Sequence, residues 1–233
     1  MFMYSDVYNL NISENYLAYS QPLNNIGLGV NWLRHSVDLT EGIRSTYKTN
    51  SWVDDMYSLG AGIKVKNDMF AGITMKRFKV KTNLTNVQNY GASGTGFDVG
   101  ILMTNIYKNE SFDLNNVSLG FQVRNLATDL SGENVDPSYK LGISSNLLSD
   151  FFVAFELDMD KDNEELSSDV KYRLGIEYGY NKILFIRMGT NDGNFSTGFG
   201  LVLKEKLGLD YVYEKDLGDL KKDNHRFALN FTF

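Results

Sequence analysis

This chain lacks several kinds of residue. It has no cysteine, only two prolines and only two histidines in 233 residues. Without cysteine there is no disulfide framework, no thiolate nucleophile and no cysteine-based zinc site. His35 and His225 stand far apart and show no metal-ligand spacing. The formal charge is −6 and the pI is near 5.0. No basic excess is there to neutralise a phosphate backbone, so a nucleic-acid partner is not expected. No apolar run approaches the ~20 residues of a spanning helix. A helical membrane protein is thereby excluded. A membrane protein made of strands is not, because alternation hides apolar area inside a mean hydropathy of −0.28.

Motifs of catalysis are missing as well. There is no G-x-S-x-G and no P-loop. The run GTGFDVG from Gly94 to Gly100 opens a strand with no helix behind it, unlike a dinucleotide loop. The acidic stretch 156–165, ELDMDKDNEE, lacks EF-hand spacing and reads as a solvated loop. His225 with Asp223 or Asp216 has no serine marked as its partner. An enzyme is not expected, and no cofactor is called for.

What the chain does have is alternation. In 59–66, Leu59, Ala61, Ile63 and Val65 share one face, and Gly60, Gly62, Lys64 and Lys66 the other. A period of two sorts them; helical spacing scatters them. Around 170–180, Val170, Tyr172, Leu174, Ile176 and Tyr178 stand against Lys171, Arg173, Gly175 and Glu177. Fourteen such runs are read, at 2–9, 10–22, 26–37, 58–66, 69–81, 94–104, 116–126, 138–147, 151–160, 169–180, 183–190, 195–204, 207–215 and 224–233. Their connections also alternate. Asn67-Asp68, Ser149-Asp150, Asn181-Lys182 and Glu205-Lys206 are two-residue turns. Most long loops fall at the other end, with 105–115 as a medium loop on the short-turn side. Short turns at one end, long loops at the other and an even strand count describe an outer-membrane barrel. The expected fold is all-β: a closed antiparallel up-and-down transmembrane β-barrel of about 14 strands, with residues 1–233 as one domain.

Strand number decides which face looks inward. About eight strands enclose a space that side chains or one small ligand can fill, whereas fourteen leave a wider lumen. Its wall is then polar and the apolar face meets lipid. Aromatics on the apolar face gather near strand ends, with Phe151, Tyr178, Tyr180 and Phe233 at one end and Phe195, Tyr213 and Phe227 at the other. That distribution resembles two interfacial girdles. The polar face is rich in glycine. Its charges are of both signs: Lys64, Arg124, Lys140, Arg173, Arg187 and Arg226 against Asp98, Glu156, Asp158, Glu177 and Asp210. A mixed wall is expected to pair its charges within the lumen.

The chain ends with Phe227, Leu229, Phe231 and Phe233 on one face. This ending resembles the signal read by the bacterial barrel assembly machinery. Longer stretches resemble PorV-like outer-membrane proteins, relatives of the FadL-type fatty-acid transporters. They are Tyr16-Leu17-Ala18-Tyr19-Ser20-Gln21-Pro22-Leu23, the series from GIEYGY to GFGL, and the closing Leu209-Asp210-Tyr211, Asp216-Leu217-Gly218 and His225-Arg226-Phe227. The resemblance implies a bacterial outer-membrane location, membrane lipid and the assembly machinery as partners, and a hydrophobic small molecule as cargo. It also admits a secretion-associated barrel that receives secreted protein cargo. For that role the loops 38–57 and 82–93, with Tyr47, Trp52 and Tyr90, are the expected docking surface. A soluble lipid-binding barrel is the third alternative and requires the apolar face to turn inward. Members of the family begin with a signal peptide and a plug segment, and no part of this sequence corresponds to them. The chain is read as N-terminally shortened, so a plug-dependent mechanism is not carried over.

Overall fold

Where side chains alternate, the chain forms strands. The computed structural model describes residues 1–7, 12–41, 48–82, 91–107, 114–161, 168–215 and 223–233. The first strands are β1 (Phe2–Val7), β2 (Ile12–Leu23), β3 (Ile26–Glu41), β4 (Lys48–Lys66) and β5 (Met69–Thr82). Then come β6 (Gly91–Met103), β7 (Leu114–Leu130), the short β8 (Glu133–Val135), β9 (Ser138–Leu147) and β10 (Phe151–Lys161). The last are β11 (Ser168–Tyr180), β12 (Leu184–Asn191), β13 (Asn194–Leu203), β14 (Leu207–Lys215) and β15 (Asp223–Phe231).

Consecutive barrel strands pair antiparallel, β7 with β9 across the short β8, and β1 pairs with β15 to close the sheet. Of the fifteen strands, β8 touches only β7, as a small flap beyond its end, so fourteen form the barrel. Among the described residues the fourteen barrel strands leave no free edge, which is the condition for a sheet to cross a bilayer. Tight turns at Asn24-Asn25 and Asn67-Asp68 join strands at the end where both termini lie. Asn24 and Asp68 adopt positive φ of 56° and 62° there, a conformation that short polar side chains tolerate.

The apolar side chains point outward. Among the described residues, Ala92 and Val117 are the buried hydrophobic ones, while Leu59, Ile73, Ile176 and Met188 are each about half exposed. A water-soluble protein does the reverse, because burying such area stabilises it by ~25 cal/mol per Å². The exposed band therefore meets hydrocarbon. The soluble lipid-binding alternative fails here, since it needs these side chains inside.

Strand lengths are uneven. β4 has 19 residues and β12 has 8. A spanning strand needs ~9–11. The feet of β3 to β6 align at the short-turn end, so their extra length rises above the opposite side of the bilayer. This corrects the reading of 38–57 as a loop: pairs from Arg34↔Asp55 up to Glu41↔Lys48 are ladder. Trp52 stands on β4 with its indole Nε1–H donating to Asp54 at 2.7 Å, so it is not part of an exposed loop surface. Tyr47 and Tyr90 lie outside the described residues.

Candidate functional site

The space enclosed by the barrel is the candidate site. Along β3, β4, β5 and β6 the inward positions near the short-turn end are Gly29, Gly60, Gly62, Gly72 and Gly100. Gly142 and Gly175 continue this bare wall on β9 and β11. A Cβ added at Gly175 would meet nothing within 4 Å, and one at Gly62 only an ordinary contact with the Ala71 carbonyl. Gly62 and Gly175 are not forced by close strand packing; they leave room. Two adjoining cavities of about 730 Å³ each lie along this wall and share Leu102, Gly120, Gly142 and Glu156. Each falls within the ~300–1,000 Å³ of ligand pockets. Phe70, Leu102 and Phe152 turn inward and give the cavities apolar patches.

Most of the charges stand on β7 and β9 to β15, and Glu156, Arg173, Glu177 and Arg187 line the first cavity alongside Gly142 and Gly175. Asp158 is at their centre. Its carboxylate accepts from Arg124 at 2.8 Å and lies 3.2 Å from the Lys140 ammonium and 3.3 Å from the Arg173 guanidinium. Glu156 accepts from Lys140 at 2.9 Å and also pairs with Arg173. Arg173 donates through Nε to Asn191, whose amide donates to Glu214, and Glu214 lies 3.5 Å from Arg226. Nearer the short-turn end, Arg187 donates to Glu177 at 2.6 Å and pairs with Asp210, which also accepts from Asn230. Cross-strand register makes this lattice: Glu156↔Arg173, Glu177↔Arg187 and Asp158↔Lys140 are direct partners. A charge in a narrow wet space is stabilised by such sharing, which satisfies several acceptors at once.

Asp98 belongs to a separate group. It lies 2.6 Å from the Lys76 ammonium, with both side chains buried, and accepts from the backbone N–H of Asn125 at 2.9 Å. Asn125 and Ala127 have positive φ of 60° and 47°, and each marks an extra residue in β7 opposite β6. The ladder between β6 and β7 therefore slips twice beside the cavities, and Asp98 ties the first slip down.

Of the eleven charged residues expected in the lumen, ten take part in these groups. Lys64 does not; it is exposed near the foot of β4, beside a register shift between Lys64 and Lys66. The alternation also missed members of the lattice. Lys76, Asn191, Glu214 and Asn230 occupy inward positions, and their parity was the available signal. Phe227, Leu229 and Phe231 face outward on β15, and Phe227 lies 5.0 Å from the Tyr211 ring. His225 accepts from or donates to Tyr211 at 2.8 Å on the same outer face, away from the lumen. His35 sits on β3, 3.6 Å from Glu14. Asp216 and residues 162–165 of the acidic stretch lie outside the described residues.

Solved structures share this architecture. The Pseudomonas putida toluene transporter TodX superposes with a TM-score of 0.72 at 9% identity, covering 100% of this chain and 87% of that one. This is the barrel fold of FadL-type hydrocarbon channels. The CymD monoaromatic hydrocarbon channel gives 0.58 at 12% identity over 98% of this chain and 84% of its own. A Pseudomonas aeruginosa FadL homologue gives 0.55 at 10% identity over 94% and 77%. At these identities the likeness is one of fold. No protein-family model matches the sequence, and neither does any curated protein.

Proposed function

We propose that the chain is an outer-membrane channel that takes apolar small molecules through its lumen. The observation that carries this reading is the pair of adjoining cavities along a glycine wall, patched by Phe70, Leu102 and Phe152. A ligand of monoaromatic size fits there without displacing a side chain. The charged side chains that line the same cavities, Glu156, Arg173, Glu177 and Arg187 among them, are paired with one another, so they offer a polar solute few free groups. The twice-slipped β6–β7 ladder supports passage, because two extra residues interrupt its pairing next to the cavities. The names of the structural neighbours, a toluene transporter and monoaromatic hydrocarbon channels, favour the same cargo class.

The test is toluene uptake into lipid vesicles containing the folded chain. Gly175→Phe and Gly62→Phe fill the cavities from positions that leave room for a side chain. Uptake is expected to fall to the rate of empty vesicles in the double variant, with the barrel still folded. Unchanged uptake in that variant, or equal passage of toluene and a small sugar, would overturn the reading.

A further inference from the structure

Above the apolar band, the outer wall changes character on three neighbouring strands. Outward positions on β5 run Ala71, Ile73, Met75 and then Arg77, Lys79, Lys81. On β3 and β4 the same ascent passes from Val30 and Leu59, through Trp32 and Tyr57, to Arg34 and Asp55. Register sets Arg77 beside Tyr57, Lys79 and Arg34 on either side of Asp55, and Lys81 beside Val53. Strands lie ~4.8 Å apart and same-face neighbours ~7 Å apart. Four cations therefore crowd one patch of outer wall, directly above an aromatic pair.

Their counter-charges are few. Asp55 is engaged by Arg34 at 2.8 and 3.0 Å and by the Trp32 indole at 2.9 Å. Asp38 stands higher on β3, toward the rim. Arg77, Lys79 and Lys81 are exposed; Lys79 lies 5.8 Å over the Tyr57 ring, and Arg77 reaches Ser93 at 3.3 Å. None of these three is in an ion pair with a described residue. The chain as a whole carries −6, so general basicity does not account for the cluster.

We propose that this patch binds the phosphorylated head group of a lipid in the outer leaflet. The inference rests on the outer-membrane reading above, in which the short-turn end faces the periplasm. Cations at this height sit at head-group level, where phosphate oxygens accept charge-assisted bonds from lysine and arginine. Trp32 and Tyr57 supply the amphipathic floor on which the upper acyl carbons lie.

The test uses the full chain folded in neutral detergent micelles, with diphosphoryl lipid A as probe and its dephosphorylated form as comparison, read by native mass spectrometry. The folded chain is expected to retain the phosphorylated lipid at least tenfold better. Arg77→Gln/Lys79→Gln/Lys81→Gln should weaken that binding about a hundredfold, from the effect of three basic residues at a lipid surface. Lys66→Gln/Lys206→Gln, at the other end, should leave it unchanged. Equal retention of the two lipids by the unaltered chain overturns the proposal, and this comparison stands even if the triple variant does not fold. Displacement of the lipid by millimolar inorganic phosphate would also overturn it, assigning the patch to the free ion. Failure of the unaltered chain to fold in micelles at all would instead strike the membrane-barrel reading.

Discussion

Replacing Asp158 by asparagine removes one charge and changes almost no volume, which makes it a sharp probe of the lumen lattice. Its side chain is 5% exposed and faces three cations, Arg124, Lys140 and Arg173. A hydrogen bond to a charged group contributes ~1.5–3 kcal/mol. Simple addition overstates the loss, because those cations are 21–38% exposed and regain water. Arg173 and Lys140 also keep Glu156. The remaining cost is the mutual repulsion of three cations around a neutral amide, and we expect about 2–4 kcal/mol in all. Glu156→Gln removes a carboxylate that is 37% exposed, and about 1 kcal/mol is expected. Urea unfolding of the chain from lipid vesicles, followed by the fluorescence of Trp32 and Trp52, measures both. At 1 M salt the Glu156 effect should shrink, whereas most of the Asp158 effect persists because burial limits screening. A loss under about 0.5 kcal/mol for Asp158→Asn, or a larger loss for Glu156→Gln, would refute the idea that one buried carboxylate organises this wall.

Ile176→Arg places a charge in the middle of the outward apolar face and should cost about 2–4 kcal/mol in the same vesicle assay; a neutral result would invert the face assignment. Gly94→Ala sets a Cβ against the backbone carbonyl of Asp129 at the β6–β7 slip, and about 3 kcal/mol of destabilisation is expected. Gly175→Ala, with open space around its Cβ, should stay within about 0.5 kcal/mol. Ser5→Ala removes the hydroxyl that donates to Asn224 at 2.9 Å where β1 meets β15. Both residues are buried, so about 1–2 kcal/mol should be lost at that closing seam.

The barrel was legible because a bilayer imposes a period of two on every spanning strand. Residues 170–180 sort Arg173 and Glu177 inward from the sequence alone. Their partners were not legible, since a pattern of faces leaves register open; only the pairing shows that Arg173 meets Glu156 and Glu177 meets Arg187. Residues 38–41 of β3 and 48–57 of β4 escaped notice for a different reason. Beyond the hydrocarbon nothing requires an apolar outer face. On β5 the sense even reverses, with Phe78 and Val80 turned inward and Lys79 and Lys81 outward. At the top of β7, the extra residues Asn125 and Ala127 shift the parity, so simple counting along 116–130 loses the inner face.

The glycine wall has an entropic consequence. A pocket lined by long side chains must freeze them when a ligand arrives, at ~0.5–1.5 kcal/mol for each immobilised one. Gly60, Gly62, Gly72 and Gly175 have no rotamers to lose, and their backbone is already held by the ladder. A guest pressed against that surface is met by a rigid plane of peptide groups, bordered by the paired side chains of Glu156, Arg173 and Arg187. Such a plane selects by thickness and oiliness rather than by outline, so ligands of quite different shape should bind with closely similar strength.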